Sequence, residues 1–134
     1  MLNRRYIRVK VFQALYKYYQ SENKDFVAVE KELMVSINRI EELYVYMLLF
    51  VLELRDVAQK KHVSGKEKRL ATDEDLNPNT RFVENKVFKI LDQNIEFKKL
   101  VEQKKLSWYL EESMVKKLFN KIQESEIYGK YLYT

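Results

Sequence analysis

The chain is expected to be all-α, a compact bundle of about five to seven helices, on three observations. Only two glycines (Gly65, Gly129) and one proline (Pro78) occur in 134 residues, so the tight turns of a sandwich, barrel or βαβ array have almost no raw material. Apolar residues recur every three or four positions over most of the length, the period of a half-buried helix. Leu, Lys, Glu and aromatics dominate, and a hydrophobic content of 46% can bury one sizeable core, so a single helical domain over 1–134 is expected.

The first helix should run from Asn3 to Gln20, with Asn3 as N-cap and Ile7, Val11, Leu15 and Tyr18 as an inward ridge. At about 100° per residue, Phe12, Tyr16 and Tyr19 widen that ridge, while Lys10, Gln13 and Lys17 fall on the far side. A polar link, Ser21 to Asp25, precedes a second periodic segment burying Phe26, Val29, Leu33, Ile37 and Ile40. A strongly apolar segment from Ile40 to Ala58 follows; with no Gly or Pro between them, one bent helix and two helices broken near Ser36 to Asn38 both fit.

From Lys60 to Thr80 the apolar pattern lapses, and a polar loop between two helical subdivisions is expected. Asn77 as N-cap with Pro78 at the first helical position would open the next helix, with Phe82, Val83, Val87, Ile90 and Leu91 inside. Another helix follows Asn94 and buries Ile95, Leu100 and Val101, and the last long one uses Val115, Leu118, Phe119 and Ile122. Tyr128, Tyr131 and Leu132 keep apolar spacing almost to the last residue, so the chain is expected to be the N-terminal part of a longer protein.

Several kinds of chemistry lack their residues. Zinc sites need three or four ligands of His, Cys or carboxylate type, and with no cysteine and His62 the only histidine no metal site is expected. A Ser nucleophile would lack its base and its glycine-flanked elbow. Two distant glycines cannot build a phosphate-cradling or dinucleotide loop. No cofactor and no enzymatic activity are therefore expected. Asp73, Asp75, Asn77, Asn79 and Glu84 stand at positions 1, 3, 5, 7 and 12 of an EF-hand-like loop. However, Pro78 holds φ near −65° where the loop needs glycine, so an acidic linker before a helix start is the preferred reading. The longest apolar run, Leu43 to Leu52, is about half of what a bilayer span requires, so no membrane partner is expected. The N-terminal apolar stretch, broken by Gln13 and Lys17, makes no signal peptide; together with the absence of cysteine this points to the cytoplasm.

Net charge is +5, and its location matters more than its size. Residues 1–20 hold Arg4, Arg5, Arg8, Lys10 and Lys17 without one acidic residue, and the rest of the chain is balanced. Arginines in the first turns work against the helix dipole, so stability alone would favour Asp or Glu there. A polyanion is the expected partner, nucleic acid before an anionic surface, with arginines on phosphates and exposed tyrosines on unpaired bases. The alternative is a solvated helix end beside aromatic residues that belong to the core. A second cluster, Lys60, Lys61, Lys66, Lys68 and Arg69, either extends the patch or forms a mobile loop.

Arg4-Arg5-x-x-Arg8 followed by Gln13-Ala14-Leu15-Tyr16 resembles the opening of the NusB transcription antitermination family. Glu42-Leu43-Tyr44 through Leu48-Leu49 is similar to the family's next core helix, and Asp75-Leu76-Asn77-Pro78-Asn79-Thr80-Arg81-Phe82 resembles its long Bacteroidetes variants. The resemblance implies NusB-like N-terminal helices and RNA binding in transcription regulation. The RNA would be the single-stranded boxA element, bound together with the ribosomal protein NusE and the transcription elongation complex on ribosomal RNA operons. It implies Arg4, Arg5 and Arg8 as phosphate contacts and Tyr16 as a base contact. Tyr6 stands where the family carries a third consecutive arginine, and the family's C-terminal Ile-Asn-Glu and Phe-Val-Asn-Gly stretches do not occur. A helical protein-protein interaction module and the RNA-binding domain of an RNA methyltransferase are the alternatives, and a homodimer is left open.

Overall fold

The computed structural model describes residues Asn3 to Thr134. Seven α-helices account for most of them, with no strand among the described residues: α1 (Arg4–Gln20), α2 (Phe26–Lys66), α3 (Asp73–Leu76), α4 (Lys86–Gln93), α5 (Ile95–Gln103), α6 (Glu112–Gln123) and α7 (Glu126–Tyr133). A 3₁₀ turn, Tyr109–Glu111, leads into α6. None of the helices is long and apolar enough to cross a membrane. The chain forms two compact units, Met1–Tyr44 and Val45–Thr134, and α2 contributes residues to both.

Helix ends follow local chemistry. Asn3, Asn85 and Asn94 each accept a hydrogen bond from a first-turn backbone N–H, of Arg5, Val87 and Phe97 respectively, at 2.9–3.1 Å. Asp25 Oδ1 does the same for Ala28 at 3.0 Å. Helix α3 begins with a reciprocal capping box between Thr72 and Asp75. At the end of α5, Lys105 takes φ +50°, the one positive value among the described residues. There Leu106 N–H reaches the Val101 carbonyl at 3.0 Å and Lys105 N–H reaches that of Glu102 at 3.2 Å, a Schellman motif carried by a lysine.

The first unit pairs α1 with the early part of α2, and none of its described residues is buried. Ile7, Lys10, Val11, Ala14 and Tyr18 of α1, and Val29, Leu33, Ile37 and Ile40 of α2, are half-buried. Phe26, expected inside, is exposed and meets Tyr18 edge-on at 6.0 Å. Helix α2 runs through Ser36 to Asn38 unbroken, so it is one helix.

The second unit holds the entire core in two clusters. Leu54, Ala58, Trp108, Val115 and Phe119 form one; Val45, Leu52, Phe88 and Phe97 form the other. Both lean on α2, and Leu49 and Phe82 pack against each. Trp108 lies flat on Tyr46 at 4.0 Å and donates from Nε1 to the Tyr46 carbonyl at 3.0 Å, so its buried N–H is satisfied. Phe82 meets Phe88, Phe119 and Tyr128 at 5.2–5.8 Å. Arg55, its side chain largely buried, pairs with Asp92 and with Asp56; burial lowers its pKa, but the hydrogen bonds and charges of the two aspartates together outweigh that and hold the guanidinium above its ordinary pKa.

Several expectations are corrected. The 60–80 segment is not a loop throughout: α2 continues to Lys66, through the good helix formers Gln59, Lys60 and Lys61 and on through His62 to Gly65 against their weaker propensities. Cations near its last turn also suit the helix dipole. Gly65 is therefore helical and buried, where a Cβ would stand 3.0 Å from Asp75 Oδ1. Asn77 caps the end of α3 and does not open a helix; the next helix begins at Lys86. This shift of register buries Phe88 and leaves Val87 and Ile90 exposed. Helix α5 likewise buries Phe97 and exposes Ile95. Val115 and Phe119 are buried as expected, while Leu118 stays at the surface.

Candidate nucleic-acid interface

Helix α1 begins with no acidic residue in its first turn. Besides the side-chain bond from Arg5 N–H, the Asn3 carbonyl accepts from Tyr6 at 2.9 Å and Ile7 at 3.2 Å, which starts the helix directly before the arginines. Arg4, Arg5 and Arg8 are exposed and line one shallow concavity with Asn3, Val9 and Phe12. No carboxylate among the described residues pairs with any of the three. Tyr16 is exposed too; it lies outside that concavity but stacks on Phe12, with ring centroids 6.4 Å apart.

The azimuth of α1 differs from the expected one. Of the expected ridge, Ile7, Val11 and Tyr18 are half-buried, but Leu15 is exposed, as are Phe12, Tyr16 and Tyr19 on its margin. Lys10, Gln13 and Lys17, placed on the far side, instead line a crevice with Val29, Glu32, Leu33 and Ser36 of α2. Lys17 Nζ reaches Glu32 at 2.6 Å. Both side chains remain 61% exposed, so this pair contributes little stability and acts mainly as a register mark. Helix α1 thus turns its half-buried side, Ile7, Ala14 and Tyr18, toward the interior of its unit and presents arginines and rings on the other. Tyr6 is half-exposed, with Lys10 Nζ 6.0 Å from its ring centroid.

Phe12 is the residue that sequence reasoning missed, because an aromatic at helical spacing reads as core. The signal available was its azimuth: it lies between Arg5 and Arg8 when the helix is viewed down its axis.

Part of the second basic cluster is used within its own unit. Lys60 Nζ lies 3.9 Å from Glu112 and Lys68 Nζ 2.8 Å from Asp75. Lys68 and the Thr72 backbone hold the Asp75 carboxyl below its ordinary pKa. Members of the EF-hand-like set are engaged elsewhere: Asp75 with Lys68 and the Thr72 N–H, while Asn79 Nδ2 donates to the Leu132 carbonyl at 3.1 Å. No group of three or more His, Cys, Asp or Glu side chains among the described residues is placed to hold a metal ion. His62, expected in a solvated loop, is half-buried on α2, and burial followed by Lys66 and Lys61 pushes its pKa down.

Comparison of the chain with models of known protein families, with curated proteins and with solved structures gave no match.

Proposed function

We propose that the chain binds single-stranded RNA through α1, as an RNA-binding transcription antitermination module of NusB type. The observation that carries this reading is the three unpaired guanidiniums of Arg4, Arg5 and Arg8 gathered in one exposed concavity at the start of a helix. Like charges held there repel one another and oppose the dipole, a cost that a strand of phosphates removes by pairing with the guanidinium forks. Single-stranded rather than duplex RNA fits the adjoining exposed ring of Tyr16, because unpaired bases can stack where paired ones cannot. The resemblance to NusB proteins supplies the finer terms: boxA-like RNA, the ribosomal protein NusE and the elongation complex as partners, a cytoplasmic setting, and no catalysis.

The reading is tested by titrating the chain with boxA-containing and scrambled RNA over a range of salt. Affinity is expected to fall steeply with salt. Changing Arg4, Arg5 and Arg8 together to Ala should flatten the logarithmic salt slope by about 2, at roughly 0.7 per single-strand phosphate contact. Unchanged affinity in that triple variant would refute the site.

One observation favours a second reading, a protein-interaction module: Val27, Met34, Val35, Leu43 and Tyr44 of α2 are about half or more exposed. On that reading partner capture is insensitive to salt and to the arginine substitutions.

A further inference from the structure

The outward side of α1 carries a continuous track and not only a basic end. At about 100° per residue, Arg5, Arg8, Phe12, Tyr16 and Tyr19 fall within a sector of about 80°, and they extend over about 21 Å of helix. Phe12, Tyr16 and Tyr19 are 68%, 60% and 70% exposed. The Phe12 and Tyr16 planes are 26° from parallel, and Phe12 also lines the arginine concavity, so cations and ring surface adjoin at that residue. Tyr19 meets Tyr18 edge-on at 5.5 Å, but rings left this exposed contribute little to the fold, and three of them beside unpaired arginines fit a ligand that is anionic and flat at once.

We infer that α1 is a stacking track for an unpaired polynucleotide strand, in which Arg5 and Arg8 hold phosphates and Phe12, Tyr16 and Tyr19 each take a base. This rests on the RNA reading above and adds Phe12 and Tyr19 to its contacts. A duplex keeps its base faces stacked on one another and cannot use the rings, so the track selects for single strands. Every base has a π-face, so the rings give affinity with little sequence preference. A protein helix would leave the three guanidiniums uncompensated unless it brought carboxylates in the same register.

The test uses the full chain and a single-stranded RNA carrying 2-aminopurine, with a duplex of the same sequence as competitor. Binding by the wild-type chain is expected to quench the fluorophore, and the duplex should compete poorly. The double variant Phe12→Leu, Tyr19→Leu keeps apolar bulk but removes two rings. It should bind at least about tenfold more weakly, lose most of the quenching, and keep the wild-type salt slope because its arginines remain. Both positions are exposed, and circular dichroism should show an unchanged helix content. Undiminished affinity and quenching in this variant would overturn the track; the RNA reading would stand if the triple arginine variant had lost binding, and would fall with it if not. Equal binding of duplex and single strand by the wild-type chain would also overturn the track. So would sedimentation showing a dimer that the double variant dissociates and RNA does not.

Discussion

Residues up to Tyr44 and residues from Val45 onward are similarly supplied with apolar side chains, yet only the second region has a core. Helix α2 makes the contrast within one element. Its early part is half-buried along a single stripe, Val29, Leu33, Ile37 and Ile40, and leaves Val27, Met34, Val35, Leu43 and Tyr44 in water. Its later part buries Val45, Leu52, Leu54, Ala58 and Gly65, because α4, α5 and α6 supply side chains to cover more than one side of it. Apolar content sets whether a helix can be buried; the number of surfaces packed on it sets whether it is. The region without a core is also the one in which unpaired arginines and exposed rings share one side of a helix.

Core truncation gives the largest expected break in that contrast. Phe119→Ala removes a ring that is 1% exposed and should cost about 3–5 kcal/mol in urea denaturation. Ile7→Ala on half-buried α1 should cost roughly 1 kcal/mol or less, since only part of the transfer term is lost there. Equal losses at the two positions would erase the distinction. Asp92→Ala should come next, at about 1–2 kcal/mol, because Arg55 loses one of its two carboxylate partners while its side chain stays only 19% exposed.

A smaller effect should appear with pH. The folded pKa of His62 lies below its ordinary 6.5, so the unfolded chain takes up a proton that the folded chain resists. Stability is therefore expected to fall as pH is lowered through 6.5 toward the folded value, and to be free of this contribution well above it. His62→Gln should lessen the difference between urea midpoints measured at about pH 7.5 and about pH 5.5; an unaltered difference would show that the group is not held this way. The smallest expected change has the opposite sign. Lys105→Gly should stabilise the second unit by about 0.5–1 kcal/mol, because glycine occupies positive φ without the steric cost a lysine carries.

Much of the fold was legible in the residues, and the misses share a cause. Asn3 and Asn94 announced helix starts by their side-chain acceptors, and Val115 and Phe119 announced the core by spacing. The 60–66 segment escapes the reading because apolar periodicity reports buried apolar side chains, and this mostly solvated helix tail buries only Gly65 and half of His62. Asn77-Pro78 looked like a helix start on local chemistry, but Asn79 is hydrogen-bonded to Leu132 and Phe82 is drawn into the aromatic group with Phe119 and Tyr128. Those contacts lie from 37 (Phe82 to Phe119) to 53 (Asn79 to Leu132) residues away in the chain and leave no local trace.

For the candidate interface, residue order alone determined that Arg4, Arg5, Arg8 and Tyr16 share one helix with no acidic neighbour. It could not determine which way that helix turns. Apolar residues of α1 cover most of its circumference, so the ridge of Ile7, Val11, Leu15 and Tyr18 can widen either toward Tyr16 and Tyr19 or toward Ala14. Packing against α2 decides between them: small Ala14 lies at the crevice between the two helices, and Lys17 meets Glu32 across it. With that side occupied, the arginines, Phe12, Tyr16 and Tyr19 are left facing water.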